Sequence, residues 1–355
     1  MVFKELGSDF HLMEVTSGEA ILNHIFPCAE FYFSGRAALY NILVAGINKN
    51  KWENIYFPEY YCHEVSAFLQ DLPINISYYN DGPYYENIPI DDFNNLDRPD
   101  NVFVLVNFFG CRKKPHLNLQ QAAIIEDHTH GLISEWANTS EADFCFASIR
   151  KTLPSPAGGI VWSPQNQNLP QVPPLTDTIV AAVNLKLAAM QLKKMYLNRD
   201  YLNKDLYRTL FQEGENFFAD KRTNGELPAY CISLVNKFPV DYLISVKQKN
   251  FDHFSIFLED KSLLFCKNYN DIPLGIILHT KTNTEREKIK KHLIEHEIFP
   301  AVLWPNQKTA IARDFSDTML FVHCDARYNE EDMKRLAEVI NSLNFEDNKM
   351  SLTDY

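Results

Sequence analysis

Phe144–Gly159 reads FCFASIRKTLPSPAGG, and the fold turns on how this stretch is divided. The apolar run Phe144–Ala147 has the character of a buried strand and leads into Ser148-Ile149-Arg150-Lys151. Pro154 and Pro156 then enforce a loop, and the pair Gly158-Gly159 lets a second strand, Ile160-Val161-Trp162, start close by. Lys151 is thereby placed at the mouth of a sheet. A lysine that leaves water for a low-dielectric pocket loses charge stability, and its neutral amine becomes a nucleophile towards an aldehyde. Taken by itself, Lys151 reads more simply as one of two solvated charges, with Arg150, in a loop.

Two other stretches bear on that choice. In Ala122–Gly131, AAIIEDHTHG, four apolar residues run into Glu126-Asp127. That pattern predicts a central parallel strand with acids at its carboxyl end, where open α/β sheets bind ligands. Asp127 then stands beside the strand that carries Lys151. In Phe31–Leu39, FYFSGRAAL, the turn Ser34-Gly35 precedes good helix formers, and backbone amides at a helix N-terminus suit a phosphate. An aldehyde-reactive lysine, a buried aspartate and a phosphate cradle are complementary parts of a pyridoxal phosphate site.

The ordered set SGRAAL, PEYYC, IIEDHTHG and SIRKTLPSPAGG resembles the fold-type-I pyridoxal phosphate enzymes, and most closely the DegT/DnrJ/StrS group of sugar aminotransferases. The likeness spans roughly residues 30 to 165, with a weaker echo in IFPAVLWP and LFVHCDARYNEEDM. It implies an α/β aminotransferase fold, with a large doubly wound mixed-sheet domain and a smaller C-terminal α+β domain. By that resemblance Lys151 is the Schiff-base lysine, and Asp127 pairs with the pyridine nitrogen. Gly35 and Arg36 serve the phosphate through backbone amides, joined by Ser148. Tyr61, Cys62 and His63 are the candidates to stack on the ring. His130 stands where the group usually has a glutamine directed at the cofactor's phenolic oxygen.

The implied reaction is a two-step exchange. An amino acid, glutamate or similar, gives up its amino group, and a keto-sugar or other carbonyl acceptor, possibly nucleotide-linked, receives it. A homodimer with its site at the subunit interface is expected. Two departures stand out: many sugar aminotransferases place their serine where this chain has Phe146, and the group's GxNxRM element has no clear match. Arg313 and Arg327 are the C-terminal arginines available for a substrate carboxylate, although both read more simply as surface charges.

Two other classes remain at this stage. His128 and His130 form an HxH pair after Asp127, and on a strand residues i and i+2 share a face, which suits a metal-dependent hydrolase. Further ligands would come from His63, His279 or His323. A catalytically idle relative that keeps the fold is the other.

Bulk properties frame these readings. The chain has 355 residues, 46% hydrophobic and 23% charged, enough for two cores. Residues 1–220 are expected to form the large domain, with an N-terminal arm and long connecting helices. Residues 221–345 would form the small domain and 346–355 a polar tail. A net charge of −12 argues against nucleic acid and anionic membranes as partners. Seven dispersed cysteines without a CxxC pair read as reduced thiols of a cytoplasmic protein, and neither a signal peptide nor a membrane span is recognisable.

The element pattern expected along the chain is as follows. A helix covers Ser17–His24, and another runs from Arg36 to near Gly46. Strands at 54–57, 74–79 and 102–108 alternate with helices at 63–69 and 117–122. One or two long helices lie between Leu175 and Glu213, which contains neither proline nor glycine. Beyond Gly225, strands at 254–257, 263–266, 275–279 and 320–324 are interleaved with helices at 284–296 and 329–343.

Overall fold

In the computed structural model the described residues are 5–13, 26, 28–86, 88, 93, 95–115, 117, 119–198, 203–265 and 273–343. The expected helix at Ser17–His24, the polar tail and Cys266 lie outside them. Two compact units are present: Asp9–Asp241 with Asn270–Leu274, and Met1–Ser8 with Tyr242–Tyr269 and Gly275–Tyr355. The sequence reading had set the division near residue 220.

Elements are numbered along the chain. After β1 (Leu6–Gly7) come β2 (Glu30–Tyr32), α1 (Gly35–Asn50), β3 (Asn54–Pro58), α2 (His63–Phe68), β4 (Asn75–Tyr79) and β5 (Asn101–Val106). They are followed by β6 (Ala123–Asp127), α3 (Glu135–Asn138), β7 (Phe144–Ser148), β8 (Gly159–Trp162), α4 (Asp177–Leu197), α5 (Lys204–Asn216), α6 (Ala229–Val235) and α7 (Val240–Phe257). The remainder is β9 (Ile276–His279), α8 (Asn283–Glu295), β10 (Ile298–Phe299), α9 (Ala310–Thr318), β11 (Met319–Val322) and α10 (Glu330–Asn341).

The larger unit is built on a seven-stranded sheet of order β2-β8-β7-β6-β5-β3-β4. Strands β4, β3, β5, β6 and β7 are mutually parallel, whereas β8 runs antiparallel to both β7 and β2. Only β8 is therefore reversed, and the carboxyl ends of the other six strands share one edge. Burial explains the composition: every residue of β5, NVFVLV, is buried, as a strand covered on both faces requires. Two tight approaches set the geometry of that edge. A Cβ on Gly159 would stand 2.2 Å from the Ser34 carbonyl oxygen, so only glycine lets β8 lie against the start of α1. Gly158, at φ +133°, turns the chain into that approach and donates its N–H to the Phe33 carbonyl at 2.8 Å.

Several expected elements differ, each for a physical reason. The helix α1 continues past Gly46 to Asn50 because the Trp52 ring packs where a Cβ on Gly46 would sit; Lys51 in the left-handed region ends it. The described residues between 117 and 122 are not helical. The Asp97 carboxylate accepts the N–H groups of Gln120, Gln121 and Ala122 at 2.9, 2.8 and 2.8 Å, which satisfies that backbone without a helix. Phe254–Phe257 is the end of α7 rather than a strand, since Phe251, Phe254 and Leu258 are buried at helical spacing. Lys261–Leu263 forms a 3-10 turn, and Leu264 makes a single bridge to Leu278. The long stretch without proline or glycine is the pair α4 and α5, which pack on each other within the larger unit.

The smaller unit holds an antiparallel pair, β9 with β11, and a short parallel pair, β1 with β10. Leu6, Phe254, Ile276, Leu278, Ile289, Leu320 and Leu336 belong to its core. Helix α10 opens with a capping box between Asn329 and Asp332. No described helix is long and apolar enough to cross a membrane, and the six described cysteines are free.

Candidate active site at the carboxyl edge of the sheet

Asp127 is the last residue of β6, buried, and paired in register with Phe146 of β7. Its Oδ1 accepts the Thr129 N–H at 2.9 Å, and its Oδ2 accepts the Tyr61 hydroxyl at 2.8 Å. Burial pushes the carboxyl up, against the pull of those donors. A carboxylate held in this condition gains by meeting a cation. No helix starts at Thr129 for Asp127 to cap; the nearest, α3, is capped by Ser134.

Lys151 ends the 3-10 turn Ile149–Lys151 that follows β7. Its side chain is open to solvent, yet the neighbouring Arg150 charge and the desolvating protein around it push the amine down to about 8. Lys151 therefore combines access with a neutral fraction of about one tenth at pH 7, far above that of an ordinary lysine, and the neutral form is what an amine nucleophile requires. Ser148, one turn earlier, donates its N–H to Thr129 Oγ1 at 3.0 Å. A Cβ on Gly35 would stand 3.2 Å from the Ser148 Cβ, so the opening amides of α1 lie against the end of β7. Ser34 caps that helix through the Ala37 N–H at 3.1 Å. The Arg36 side chain pairs with Glu64 of α2, which leaves its backbone amide as its contribution to an anion site.

The segment after β3 supplies the next wall. Tyr61 is sealed, its ring stacked on Phe57 with centroids 4.8 Å apart and its hydroxyl on Asp127, so it supports the acid rather than presenting an open face. Cys62 is half-buried just before α2, and its thiol acts electrostatically on both Lys151 and Tyr61. His63 is the first residue of α2 and half-buried.

His130 is buried and stacked on Phe109, centroids 5.4 Å apart. Its Nδ1 accepts the Phe109 N–H at 3.4 Å, and burial together with the Lys151 charge pushes its pKa down to about 3. At neutral pH it is an uncharged imidazole with its proton on Nε2, a donor suited to an oxygen. Phe109 itself takes φ +56°, an uncommon conformation for a bulky residue.

The metal reading finds no support in this placement. His128 packs on Trp162 and bonds Glu126 Oε2 through Nε2 at 2.9 Å, whereas His130 faces Phe109. Among the described residues the one group of three close metal-ligand types is Glu126, His128 and Cys145, without His130. Those three are buried and already hydrogen-bonded to one another. In the smaller unit Arg327 is locked on Asp325 at 2.8 Å, and Arg313 bonds the carbonyls of Gln307 and Lys308; both satisfy structural roles.

Sequence reasoning passed over Thr129, which ties Asp127 to Ser148, and the charges behind the lysine. The Arg150 guanidinium meets Glu215 of α5 at 2.7 and 3.1 Å, and Lys186 of α4 meets the same carboxylate at 2.8 Å. A signal existed: Lys186 and Lys193 occupy the buried stripe of α4 with Val183, Ala189 and Met190, where lysines need partners.

The fold, a mixed sheet with a single reversed strand, the acid at the end of β6 and the lysine in the turn after β7, is similar to that of solved fold-type-I pyridoxal phosphate enzymes, among them a DegT DnrJ EryC1 StrS aminotransferase from Brucella abortus that matches over 91% of this chain at 10% identity. A sugar aminotransferase from Micromonospora echinospora matches with a TM-score of 0.60 at 12% identity, over 95% of this chain and 99% of that one. DesI, solved in the presence of its TDP-sugar product, matches at 0.58 and 13%, over 92% and 85%. The E. coli GDP-4-keto-6-deoxy-D-mannose-3-dehydratase with bound hydrated PLP matches at 0.56 and 12%, over 90% of each chain. Neither a protein-family model nor a curated protein matches the sequence.

Proposed function

We propose that the protein is a pyridoxal phosphate-dependent aminotransferase that moves an amino group from an amino acid, such as glutamate, to a carbonyl acceptor of the keto-sugar class. The observation that carries this reading is Lys151: a solvent-open amine, pushed down to about 8, that follows the strand adjacent to buried Asp127. The residues fit the cofactor chemically. Asp127 is an acid that a cationic ring nitrogen would stabilise, and His130 offers an N–H for an oxygen. The first amides of α1, crowded against Ser148, form the anion end, where Gly35 leaves the room a side chain would take.

When bound, pyridoxal phosphate supplies an aldehyde that condenses with amines and a ring that accepts the electron pair left when an amino-bearing carbon loses its proton. The chain's own residues do the rest. Neutral Lys151 Nζ takes that proton from the substrate carbon and can return it. Asp127 holds the ring nitrogen protonated, and Tyr61 and Thr129 hold Asp127. The fold likeness extends to enzymes named as aminotransferases, one of them a sugar aminotransferase, and to three structures named as GDP-4-keto-6-deoxymannose-3-dehydratase, which supports a sugar nucleotide as the acceptor class. A homodimer completing the site belongs to the same reading.

The test is covalent trapping. The purified protein is mixed with pyridoxal phosphate, reduced with borohydride and digested; one labelled peptide containing Lys151 is expected, and Lys151→Ala should lose both the label and the visible absorbance. Label spread over surface lysines, unchanged in Lys151→Ala, would refute the assignment. Transfer of isotopic nitrogen from glutamate to a nucleotide-linked keto-sugar then separates amination from dehydration.

A further inference from the structure

Behind Lys151 the larger unit carries an arrangement that the proposed chemistry does not by itself require. Arg150 lies in the turn that follows β7, and its guanidinium is held by a carboxylate and an aromatic ring. Glu215 of α5 grips it with both oxygens, at 2.7 and 3.1 Å. The Phe218 ring lies beneath it, 4.2 Å from ring centroid to guanidinium carbon. Lys186 of α4, itself only 5% exposed, closes the far side of the same carboxylate at 2.8 Å. A bidentate arginine clamped to α5, through a carboxylate that is itself tied to α4, is held at the turn it shares with Lys151.

We propose that Arg150, locked by Glu215, Lys186 and Phe218, is the positioning residue of Lys151: a fixed positive charge one residue from the amine that favours its uncharged, nucleophilic form. The proposal rests on Lys151 being the reactive amine. Five groups act on that amine or are acted on by it. Arg150 favours the neutral state, while Glu215, Cys62 and Asp9 favour the charged one. His130 is in turn depressed by the Lys151 charge. Arg150 is the largest of these influences, ahead of desolvation by the surrounding protein. Two cations near one carboxylate leave a net positive field at Lys151, in the way a like charge disfavours ionisation. The carboxylate of Glu215, held far below the usual range by Arg150 and Lys186, stays charged across the working range and keeps the arginine in place.

The test reads the amine without the cofactor. The full-length protein, dialysed against hydroxylamine to remove bound carbonyl compounds, is trace-labelled with acetic anhydride across pH, and modification of the Lys151 peptide is followed by mass spectrometry. A labelling midpoint near pH 8 is expected for the wild type. Arg150→Met should raise it by about one pH unit, and Arg150→Lys, which keeps the charge, should hold it within about half a unit. Glu215→Gln should lower it, since a negative charge is removed while the amide oxygen still accepts a guanidinium N–H and Phe218 still backs Arg150. A merely structural clamp predicts the opposite sign for Glu215→Gln, because a loosened lysine moves up towards the value of a solvated one. An unmoved midpoint in Arg150→Met, or an upward shift in both Arg150→Met and Glu215→Gln, overturns the proposal. The borohydride experiment is independent: failure to trap pyridoxal phosphate on Lys151 would remove the cofactor reading while leaving the labelling midpoints as measured.

Discussion

Tyr61 illustrates how far a single residue could be read in advance. The sequence nominated it to stack on a ring; the fold turns its ring onto Phe57 and spends its hydroxyl on Asp127. No local pattern separates these outcomes, because the difference lies in which strand end the hydroxyl meets, and that is a long-range fact. Tyr61→Phe should leave a buried Asp127 oxygen without its donor and cost about 1–3 kcal/mol in urea unfolding. The Asp127 carboxyl should titrate higher in the variant, which carbon-labelled NMR of the aspartates would follow. An unaltered Asp127 titration would mean that the phenol is incidental. By contrast, the position of Lys151 after a buried strand was legible, since apolar residues, prolines and paired glycines all act locally. Its amine's pKa was not, because it depends on Arg150 and on a carboxylate carried by α5.

At the scale of the element, the sheet strands were legible because buried parallel strands are apolar throughout, and their ends were marked by Pro58, Asn107 and Asp127. Misreadings arose where tertiary partners replaced local ones. Asp97 draws three amides of residues 120–122 away from a helix, and the Trp52 ring lets α1 pass through a glycine. The FSIF segment has strand-like composition, yet its burial follows the 3.6-residue period of α7. Two substitutions test the joints between elements. Gly159→Ala drives a Cβ to 2.2 Å from the Ser34 oxygen, so β8 and α1 must separate; a loss of about 3 kcal/mol in urea unfolding is expected, with weaker pyridoxal phosphate binding by fluorescence titration. Asn329→Ala removes one half of the α10 capping box and should cost about 1 kcal/mol by the same method, without changing cofactor binding.

For the whole molecule, charge placement sets the response to acid. Glu215 in the larger unit and Asp325 in the smaller one are both held below their ordinary values of 4.5 and 3.8, net of burial, by the cations beside them. A depressed carboxylate contributes stability that is fully present above its unfolded value and is lost as pH falls through its folded one. Urea midpoints should therefore be flat above pH 5 and fall steadily below about 4. Glu215→Gln and Asp325→Asn should each flatten that fall; a midpoint equally acid-sensitive in both variants would place the effect elsewhere. The doubly wound architecture was legible at this scale from the alternation of strands and helices, but the membership of the smaller unit was not, because its first strand lies at the opposite end of the chain. Leu6 pairs with Ile298, and the Gly7 amide donates to the Tyr328 hydroxyl at 2.8 Å across 321 residues. A ribosome delivers these partners in order, so Leu6 and Gly7 emerge long before the strand and the tyrosine that they join. That short strand must wait for its partners until the segment carrying Ile298 and Tyr328 has been made.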